Sequence, residues 1–246
     1  MISVCIATYN GGKTIHTQLA SILSQLGEND EVVISDDHST DNTLDIIRAF
    51  NSPIVRIVEG PVKGSPIPNF ENALQHSKGD IIFLADQDDK WVENKVETMV
   101  RHIQEGAACV VSDCYVTDKD FNITHPSFYQ EVGTRAGFFY NLFVHNYYLG
   151  CCMAFTREVL IKSLPFPANI PMHDIWIGNV AALFFNVKFI PEPLIYFCRH
   201  GNNSSSTAAP SPYSLWEKVR FRLDILLPLM NRWLGLSRTT TPAPNL

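Results

Sequence analysis

Three carboxylates directly follow a short apolar run and carry the strongest chemical signal in the chain. The run Ile81–Ala85 contains four bulky apolar residues and ends in Asp86, Gln87, Asp88 and Asp89. A continuous apolar run of this length predicts a buried strand of a parallel sheet. The carboxylates would then face the crevice in which open α/β sheets bind their ligands.

The close spacing of these negative charges predicts a bound cation. Because like charges repel, we expect a hard divalent ion such as Mg²⁺ or Mn²⁺, with oxygen ligands and the phosphates of a substrate in its shell. The alternative interpretation is a solvated acidic turn that caps a helix starting near Trp91, since Asp is favoured at such a place. Trp91 itself is expected to pack at the start of that helix.

Polar residues also end two earlier predicted strands. The first strand, Ile2–Thr8, is followed by Asn10, and the second, Glu31–Ser35, is followed by Asp36 and Asp37. The carboxyl ends of parallel strands meet at one edge of a sheet, where α/β proteins bind ligands. Three polar strand ends at that edge predict a nucleotide site.

Strands and helices alternate through the first half of the chain. Apolar residues recur at helical spacing between the strands, which predicts helix Lys13–Gln25, a helix from Asn42 to about Phe50, strand Ile54–Val58 and helix Asn69–Ser77. This order predicts an α/β fold with a doubly wound, mostly parallel sheet flanked by helices.

Composition and charge exclude several classes of protein. The 246 residues suffice for one sizeable α/β domain, and a net charge of -6 argues against nucleic acid as a partner. The six cysteines form no CxxC pair, which disfavours zinc sites and disulfide frameworks and favours a reducing cytoplasm. We expect no signal peptide and no membrane-spanning helix.

Resemblance to a known family rests on three segments: SVCIATYNG, VVISDDHSTDNT and GDIIFLADQDDKW. In combination they resemble the family 2 glycosyltransferases of the GT-A fold, inverting enzymes that use nucleotide-diphosphate sugars. The resemblance covers about residues 1 to 205, and the later HDIW and YFCRHGNNS segments most resemble bacterial rhamnosyltransferase-like members. The chain departs from the family at His38, where Gly is usual.

The resemblance implies roles for individual residues. Asp37 matches the acid that hydrogen-bonds the pyrimidine N–H, a task that suits a pure acceptor, and Asp36 beside it would serve the turn. Asp88 is the first choice for metal ligation, with Asp89 as its neighbour. Donor-binding positions are expected at Thr8, Tyr9, Asn10, Asp37, Asp86, Gln87, Gly150 and Arg199, and metal positions at Asp88, Asp89 and His200.

A second acidic motif lies far along the chain, at His173–Asp174. Asp174 matches the catalytic acid position of the family, where one carboxylate takes the proton from the acceptor hydroxyl. Its alternative role is a helix N-cap, since an apolar-periodic segment follows. His173 could orient Asp174, contact the sugar or be a buried turn residue.

The loop that begins with Arg199 and His200 follows a late predicted strand. A basic pair in a Gly/Asn/Ser loop suits contact with a diphosphate. A surface loop histidine without a function is an equal alternative for His200.

Residues 107–148 add a strand and an aromatic-rich segment. Asp113, inside the strand, is expected to be a structural hydrogen-bond partner rather than a donor-sugar contact. The aromatic residues of 118–148 could stack on sugars, but packing of a helical insertion is favoured.

The end of the chain predicts a separate unit. We divide the sequence into a domain at 1–206, a linker and basic amphipathic tail at 207–238, and a disordered end at 239–246. A basic helix with tryptophans near its ends is typical of a membrane-surface anchor, and Pro228 should kink or split it. Packing on the domain or at a dimer contact is the alternative.

The residues and the resemblance together predict an inverting, metal-dependent glycosyltransferase of bacterial surface polysaccharide synthesis. Rhamnose from a dTDP-linked donor is the first expectation, with a UDP-hexose donor as the alternative. The acceptor would be a saccharide or lipid-linked saccharide, which places the protein in the cytoplasm or at the inner membrane surface. A nucleotidyltransferase and a non-catalytic nucleotide-sugar-binding module are the competing classes.

Overall fold

The structure, a computed structural model, describes residues 1–135, 137–199 and 214–236 of the chain. In these ranges the strands are β1 Ile2–Thr8, β2 Glu31–Asp36, β3 Val55–Glu59, β4 Ile81–Ala85, β5 Lys90–Trp91, β6 Cys109–Thr117, β7 Ile123–His125, β8 Met153–Thr156 and β9 Val187–Cys198. The helices are α1 Ile15–Leu23, α2 Thr43–Ala49, α3 Pro66–His76, α4 Lys95–Gln104, α5 Phe128–Val132, α6 Phe138–Phe143, α7 Arg157–Ser163, α8 His173–Phe184 and α9 Leu215–Trp233. A 3-10 turn at Gly150–Cys152 precedes β8.

One sheet contains all of these strands. Its order is β3-β2-β1-β4-β8-β6-β9-β5, with β7 paired to β6. Parallel pairing, which the sequence predicted to dominate, joins β3, β2, β1 and β4, as well as β6 and β9. The pairs that β8 makes with β4 and β6 are antiparallel, so the second half of the sheet is mixed.

The register of the parallel strands brings their polar ends together. Thr8 of β1 pairs with Asp36 of β2, and Ile6 of β1 pairs with Ala85 of β4. The residues that follow β1, β2 and β4 therefore lie at the same edge of the sheet, as the sequence predicted. The strands beneath them are buried on both faces, with Val4, Cys5 and Ile6 fully enclosed.

Three local expectations need correction. No helix starts at Trp91, because Lys90–Trp91 pairs with Tyr196 and Ile195 of β9 as a short strand, although Trp91 is buried as expected. Asp174 is not an N-cap, because Met172 holds that position and Asp174 lies in the first turn of α8. Pro228 does not split the tail, since α9 continues through it.

Two expectations for the middle of the chain are confirmed. Asp113 is a structural acceptor: its Oδ1 accepts the N–H of Tyr129 at 3.1 Å, and its Oδ2 accepts the hydroxyl of Ser127. The aromatic segment folds into β7, α5 and α6, and Tyr147 and Tyr148 are buried in it. The six cysteines are all buried and free of disulfides.

The tail helix α9 packs on the domain through one of its faces. Ile225 and Leu229 are buried, and the guanidinium of Arg232 donates to the carbonyls of Lys162, Leu164 and Pro165. The opposite face presents an apolar stripe to solvent, with residues three or four positions apart: Trp216, Val219, Leu223, Leu227, Met230 and Leu234. Within the described residues, every helix is too short or too polar to cross a bilayer.

Candidate active site

A deep cleft lies along the carboxyl edge of the sheet. Its volume is about 1110 Å³, and its lining combines the ends of β1 and β4 with α3, the 3-10 turn and the start of α8. Residues of the aromatic segment and of α9 complete the lining. Most of the predicted site residues border this cleft: Thr8, Tyr9, Asp37, Asp86, Gln87, Asp88, Gly150 and Asp174.

A side chain ties the end of β1 to the end of β4. The amide of Gln87 accepts the N–H of Tyr9 at 3.0 Å and donates to the carbonyl of Tyr9 at 3.1 Å. A Cβ on Gly11 would lie 2.4 Å from the Gln87 Oε1 atom, so a larger residue at this position would displace the Gln87 side chain from the turn. Gln87 therefore fixes the strand ends relative to each other.

The turn after β2 is held by Asp36. Its carboxylate accepts hydrogen bonds from the hydroxyls of Thr8 at 2.8 Å and Ser39 at 2.6 Å, and from the N–H of Ser39 at 2.8 Å. Asp36 therefore serves the turn, as predicted. His38 takes a left-handed backbone with φ of 64°, the conformation for which Gly is usual and which His adopts more readily than bulkier residues.

Asn10 connects the first strand end to the same turn. It too is left-handed, with φ of 48°. Its N–H donates to the Ser39 hydroxyl at 2.8 Å, and its Oδ1 accepts the N–H of Thr40 at 2.8 Å. These hydrogen bonds hold the end of β1 against the turn after β2.

Asp37 is buried at the edge of the cleft. Its oxygens accept the backbone N–H groups of Lys63 at 3.2 Å and Gly64 at 2.7 Å. The carboxylate is thus fixed by the loop before α3. A carboxylate has further lone pairs, so a base N–H could still be accepted there.

The acids after β4 form a compact cluster with a cysteine. One donor atom each from Asp86, Asp89 and Cys151 lies within 4.8 Å of the others. Burial, together with the charges of Asp88 and Asp174, raises the pKa of Asp86 from 3.8 to about 8. Burial and the neighbouring acids raise the pKa of Asp89 as well. At neutral pH Asp86 therefore holds a proton, which a bound cation would displace.

A buried lysine flanks this cluster. The ammonium group of Lys95 is fully enclosed, donates to the carbonyl of Cys151 at 2.7 Å and lies 4.8 Å from the ring centroid of Trp91. Burial lowers the pKa of Lys95. The lysine holds the 3-10 turn against α4 and offsets part of the charge of Asp89.

The donor set fits a divalent cation. Asp86 and Asp89 offer carboxylate oxygens, and Asp88 stands beside them on the cleft wall. Asp89 Oδ1 accepts the N–H of Cys198 at 3.0 Å, while its buried Oδ2 has no hydrogen-bond partner in the described part of the chain. Hard cations such as Mg²⁺ and Mn²⁺ prefer oxygen ligands of this kind, whereas the thiol of Cys151 is a softer ligand.

Asp174 lies in the cleft with both carboxylate oxygens held. The N–H of Gly150 donates to Oδ2 at 3.0 Å, and the N–H of Ile175 donates to Oδ1 at 2.7 Å. Burial nevertheless dominates and raises the pKa of Asp174 from 3.8 to about 6. The carboxylate is therefore oriented, ionised near neutral pH and basic enough to accept a proton.

His173, beside this carboxylate, stacks on the ring of Phe70 with centroids 4.1 Å apart. It is 5% exposed, and neither ring nitrogen has a hydrogen-bond partner within the described ranges. Burial lowers the pKa of His173 to about 3, so the ring is neutral at physiological pH. A neutral imidazole offers one donor and one acceptor to a ligand in the cleft.

Of the two residues predicted in the loop after β9, the structure describes only Arg199. Arg199 directly follows β9, and its N–H donates to the carbonyl of Thr117 at 2.9 Å. His200 lies outside the residues that the structure describes, as do the linker 207–213 and the end 239–246.

The sequence did not single out three residues of the site. Lys95 and Cys151 reach the acid cluster only through tertiary contacts of α4 and the 3-10 turn. Lys218 belongs to the cleft because α9 packs back on the domain. A signal for Lys95 was available, since a basic residue follows the acids at the start of an amphipathic helix.

Comparison with solved structures defines the class of fold. Staphylococcus aureus TarS 1–349, solved in complex with UDP-GlcNAc, aligns with a TM-score of 0.65 over 97% of this chain and 74% of that chain. The sequences are 20% identical, so the likeness concerns the fold alone. The mixed sheet flanked by helices is the GT-A fold that the sequence predicted.

The glycosyl transferase family 2 model matches residues 3–164. The chain belongs to glycosyl transferase family 2.

Two curated bacterial proteins show what its relatives do. The Escherichia coli UDP-Glc:alpha-D-GlcNAc-diphosphoundecaprenol beta-1,3-glucosyltransferase WfaP is 36% identical over 125 residues, 50% of this chain and 49% of that protein. The Shigella flexneri dTDP-rhamnosyl transferase RfbG is 28% identical over 218 residues, 80% of this chain and 72% of that protein. The chain thus matches about half the length of WfaP.

Proposed function

We propose that the protein transfers a sugar, with inversion, from a nucleotide-diphosphate sugar to a saccharide acceptor of bacterial surface polysaccharide synthesis. The observation that carries this proposal is the placement of Asp174. It is a buried carboxylate oriented by two backbone N–H groups, in the same cleft as the polar end of β1 and the acids that follow β2 and β4. Membership of glycosyl transferase family 2 supports the reaction type.

Asp174 acts as the general base in this proposal. It takes the proton of the acceptor hydroxyl while that oxygen bonds to the anomeric carbon of the donor sugar. The bond from that carbon to the diphosphate oxygen breaks at the same time, and the nucleotide diphosphate leaves with the electron pair. The N–H groups of Gly150 and Ile175 keep the carboxylate in one orientation during the transfer.

The donor site lies at the sheet edge. Asp37 would accept the pyrimidine N–H, and Tyr9 and Gln87 would line the nucleotide across the junction of β1 and β4. Asp86 and Asp88 would hold Mg²⁺ or Mn²⁺, with Asp89 beneath them. A divalent metal bound there supplies Lewis-acid stabilisation of charge on the departing diphosphate.

The donor sugar is a choice between two classes. The likeness to RfbG supports rhamnose from a dTDP-linked donor, the first expectation, whereas WfaP supports glucose from UDP-Glc. Both nucleotides are pyrimidines and present the same N–H to Asp37. The identity to WfaP, 36% over 50% of this chain, is higher than the identity to RfbG, 28% over 80% of this chain. The higher identity favours a UDP-hexose donor more than the sequence alone did.

A lipid-linked acceptor at the inner membrane surface completes the proposal. WfaP acts on a diphosphoundecaprenol-linked sugar, and α9 presents an exposed apolar stripe in which Trp216 is 84% exposed. Apolar faces of this extent on a packed helix mark interaction sites, and tryptophans with basic neighbours suit the lipid interface.

Co-sedimentation with phosphatidylethanolamine–phosphatidylglycerol vesicles tests the membrane proposal. Leu227→Glu and Met230→Glu alter exposed positions of the stripe and should lower the vesicle-bound fraction. Equal sedimentation of wild type and variants would refute it. A concentration-dependent dimer that Leu227→Glu dissociates would show that the stripe joins two copies of the chain.

Substitution of the base tests the function itself. Asp174→Asn keeps the shape of the side chain but removes the proton acceptor, so transfer and donor hydrolysis should fall by about 10²–10⁴-fold while nucleotide binding persists. A non-catalytic binding module would show no turnover in the wild type, and Asp174→Asn would then change no measured property. Undiminished turnover in Asp174→Asn would refute the assigned base.

A further inference from the structure

Two basic side chains of α9 face the cleft one helical turn apart. Lys218 and Arg222 both line it and are partly buried. The guanidinium of Arg222 donates to the carbonyls of Phe143 and Lys218, each at 3.0 Å. Within the described ranges, the structure gives neither cation a carboxylate partner, whereas Arg220 on the same helix pairs with Asp224 at 3.6 Å.

These cations line the same cleft as the acids. Asp37, Asp86 and Asp88 lie at the sheet edge, and α9 with the aromatic segment contributes another part of the lining. In an inverting transfer the acceptor oxygen attacks from the face opposite the leaving diphosphate. With the donor at the sheet edge, the part of the cleft that α9 lines is available to the acceptor.

We infer that Lys218 and Arg222 bind the diphosphate of a lipid-diphosphate-linked acceptor; this inference rests on the proposed function. Arginine and lysine are the usual ligands of phosphate oxygens, and a guanidinium that is already held by Phe143 loses little freedom on binding. The acceptor sugar then points from α9 into the cleft towards Asp174. The isoprenoid chain leaves over the exposed apolar residues of the adjacent turns, Trp216, Val219 and Leu223.

The probe for this site is farnesyl diphosphate, with farnesol as the uncharged control. Calorimetric titration of the full chain in EDTA measures binding without the metal-dependent donor site. Lys218→Gln and Arg222→Gln remove one charge each, and both keep a side-chain N–H donor. Arg220→Gln is the matched control because it removes the same charge from the same helix outside the cleft.

Wild type is expected to bind farnesyl diphosphate and not farnesol, and each cleft variant should weaken binding by about tenfold. Arg220→Gln should bind as wild type does. Titration of a pyrimidine nucleotide diphosphate with Mn²⁺ should give the same affinity in all variants. If Arg222→Gln lowers the unfolding temperature, its weaker binding could reflect a folding defect. The inference is then judged on the affinity of Lys218→Gln alone.

Three results would overturn the inference. These are no binding of farnesyl diphosphate by wild type, equal binding by wild type and both cleft variants, or weaker nucleotide binding in the cleft variants. The last result would assign Lys218 and Arg222 to the donor diphosphate instead. Failure of the nucleotide diphosphate to bind wild type in Mn²⁺ would count against the proposed function, so the two failures are distinguishable.

Discussion

The N–H of Gly150 donates a 3.0 Å hydrogen bond to Oδ2 of Asp174, which joins the turn before β8 to the first turn of α8. A Cβ on Gly150 would lie 3.1 Å from Nε2 of His173 and 3.3 Å from Cβ of Asp174. The glycine therefore both aims the carboxylate and leaves room for it. No other residue type gives the backbone this approach without displacing a neighbour.

Gly150→Ala is predicted to impair turnover. The added methyl must push His173 or Asp174 aside by a few tenths of an ångström, and misplacement of a catalytic group lowers rates by about 10–100-fold. Steady-state kinetics of donor hydrolysis or transfer measure the effect. Gly27→Ala is the control, because its methyl would meet only Asp30, at 3.6 Å. Wild-type rates in Gly150→Ala would contradict the assigned role.

Activity should decline in acid with the titration of Asp174. A general base must be ionised, and the pKa of Asp174 is raised by burial to about 6. The rate kcat/KM should therefore fall tenfold per pH unit below about 6. The pH profile of wild type, measured beside the residual activity of Asp174→Asn, checks this. An acid limb that persists unchanged in Asp174→Asn would show that another group titrates.

The metal-free protein should lose stability as the pH rises. The pKa of Asp86 is near 3.8 when the chain is unfolded and about 8 in the fold, so the folded state holds a proton that the unfolded state releases. The free energy of unfolding therefore decreases between about pH 4 and pH 8. Asp86→Asn removes this ionisation and should raise Tm at pH 8 in EDTA, where 1 kcal/mol corresponds to about 2–4 °C.

Thermal scans from pH 5 to pH 8 measure this difference. The gain of Asp86→Asn over wild type should shrink towards pH 5, where both side chains are neutral in the fold. Asp45→Asn, on the exposed surface of α2, is the control and should track wild type. A gain that is independent of pH would exclude ionisation of Asp86 as the cause.

Arg232 is predicted to hold α9 on the domain. Its buried guanidinium donates to three carbonyls and lies 4.9 Å from the ring centroid of Trp176. Arg232→Met leaves those carbonyls unpaired and should reduce the free energy of unfolding by about 2–3 kcal/mol. Arg220→Met, at an exposed position of the same helix, should change it little. Equal free energies of unfolding for the two variants would show that Arg232 does not anchor α9 on the domain.

The first half of the fold was predictable because its signals are local. The runs Ile2–Thr8 and Ile81–Ala85 are strands with the predicted bounds, and the order of parallel strands follows from their alternation with helices. From register alone, Thr8 and Asp36 then meet at one edge. The acids of the proposed donor site were therefore visible in the sequence.

The second half depends on contacts between distant residues. Lys90–Trp91 becomes a strand because β9 pairs with it more than a hundred residues later, which overrides the helix signal. The helix continues through Pro228 because Leu229 and Arg232, beyond the proline, are fixed on the domain. Cys151 joins the acid cluster only once the 3-10 turn is packed, so no spacing in the sequence indicates it, whereas Lys95 at least follows the acids at the start of α4.

The most direct test of the account is thermal stabilisation by nucleotides. UDP, dTDP, GDP and ADP are compared at equal concentration with and without Mn²⁺, for wild type and Asp88→Ala, because a ligand that binds only the folded state raises Tm. We predict that a pyrimidine diphosphate raises the Tm of wild type by several degrees only with Mn²⁺, and that Asp88→Ala loses this increase. No stabilisation by any pyrimidine diphosphate would contradict the proposed glycosyltransferase site.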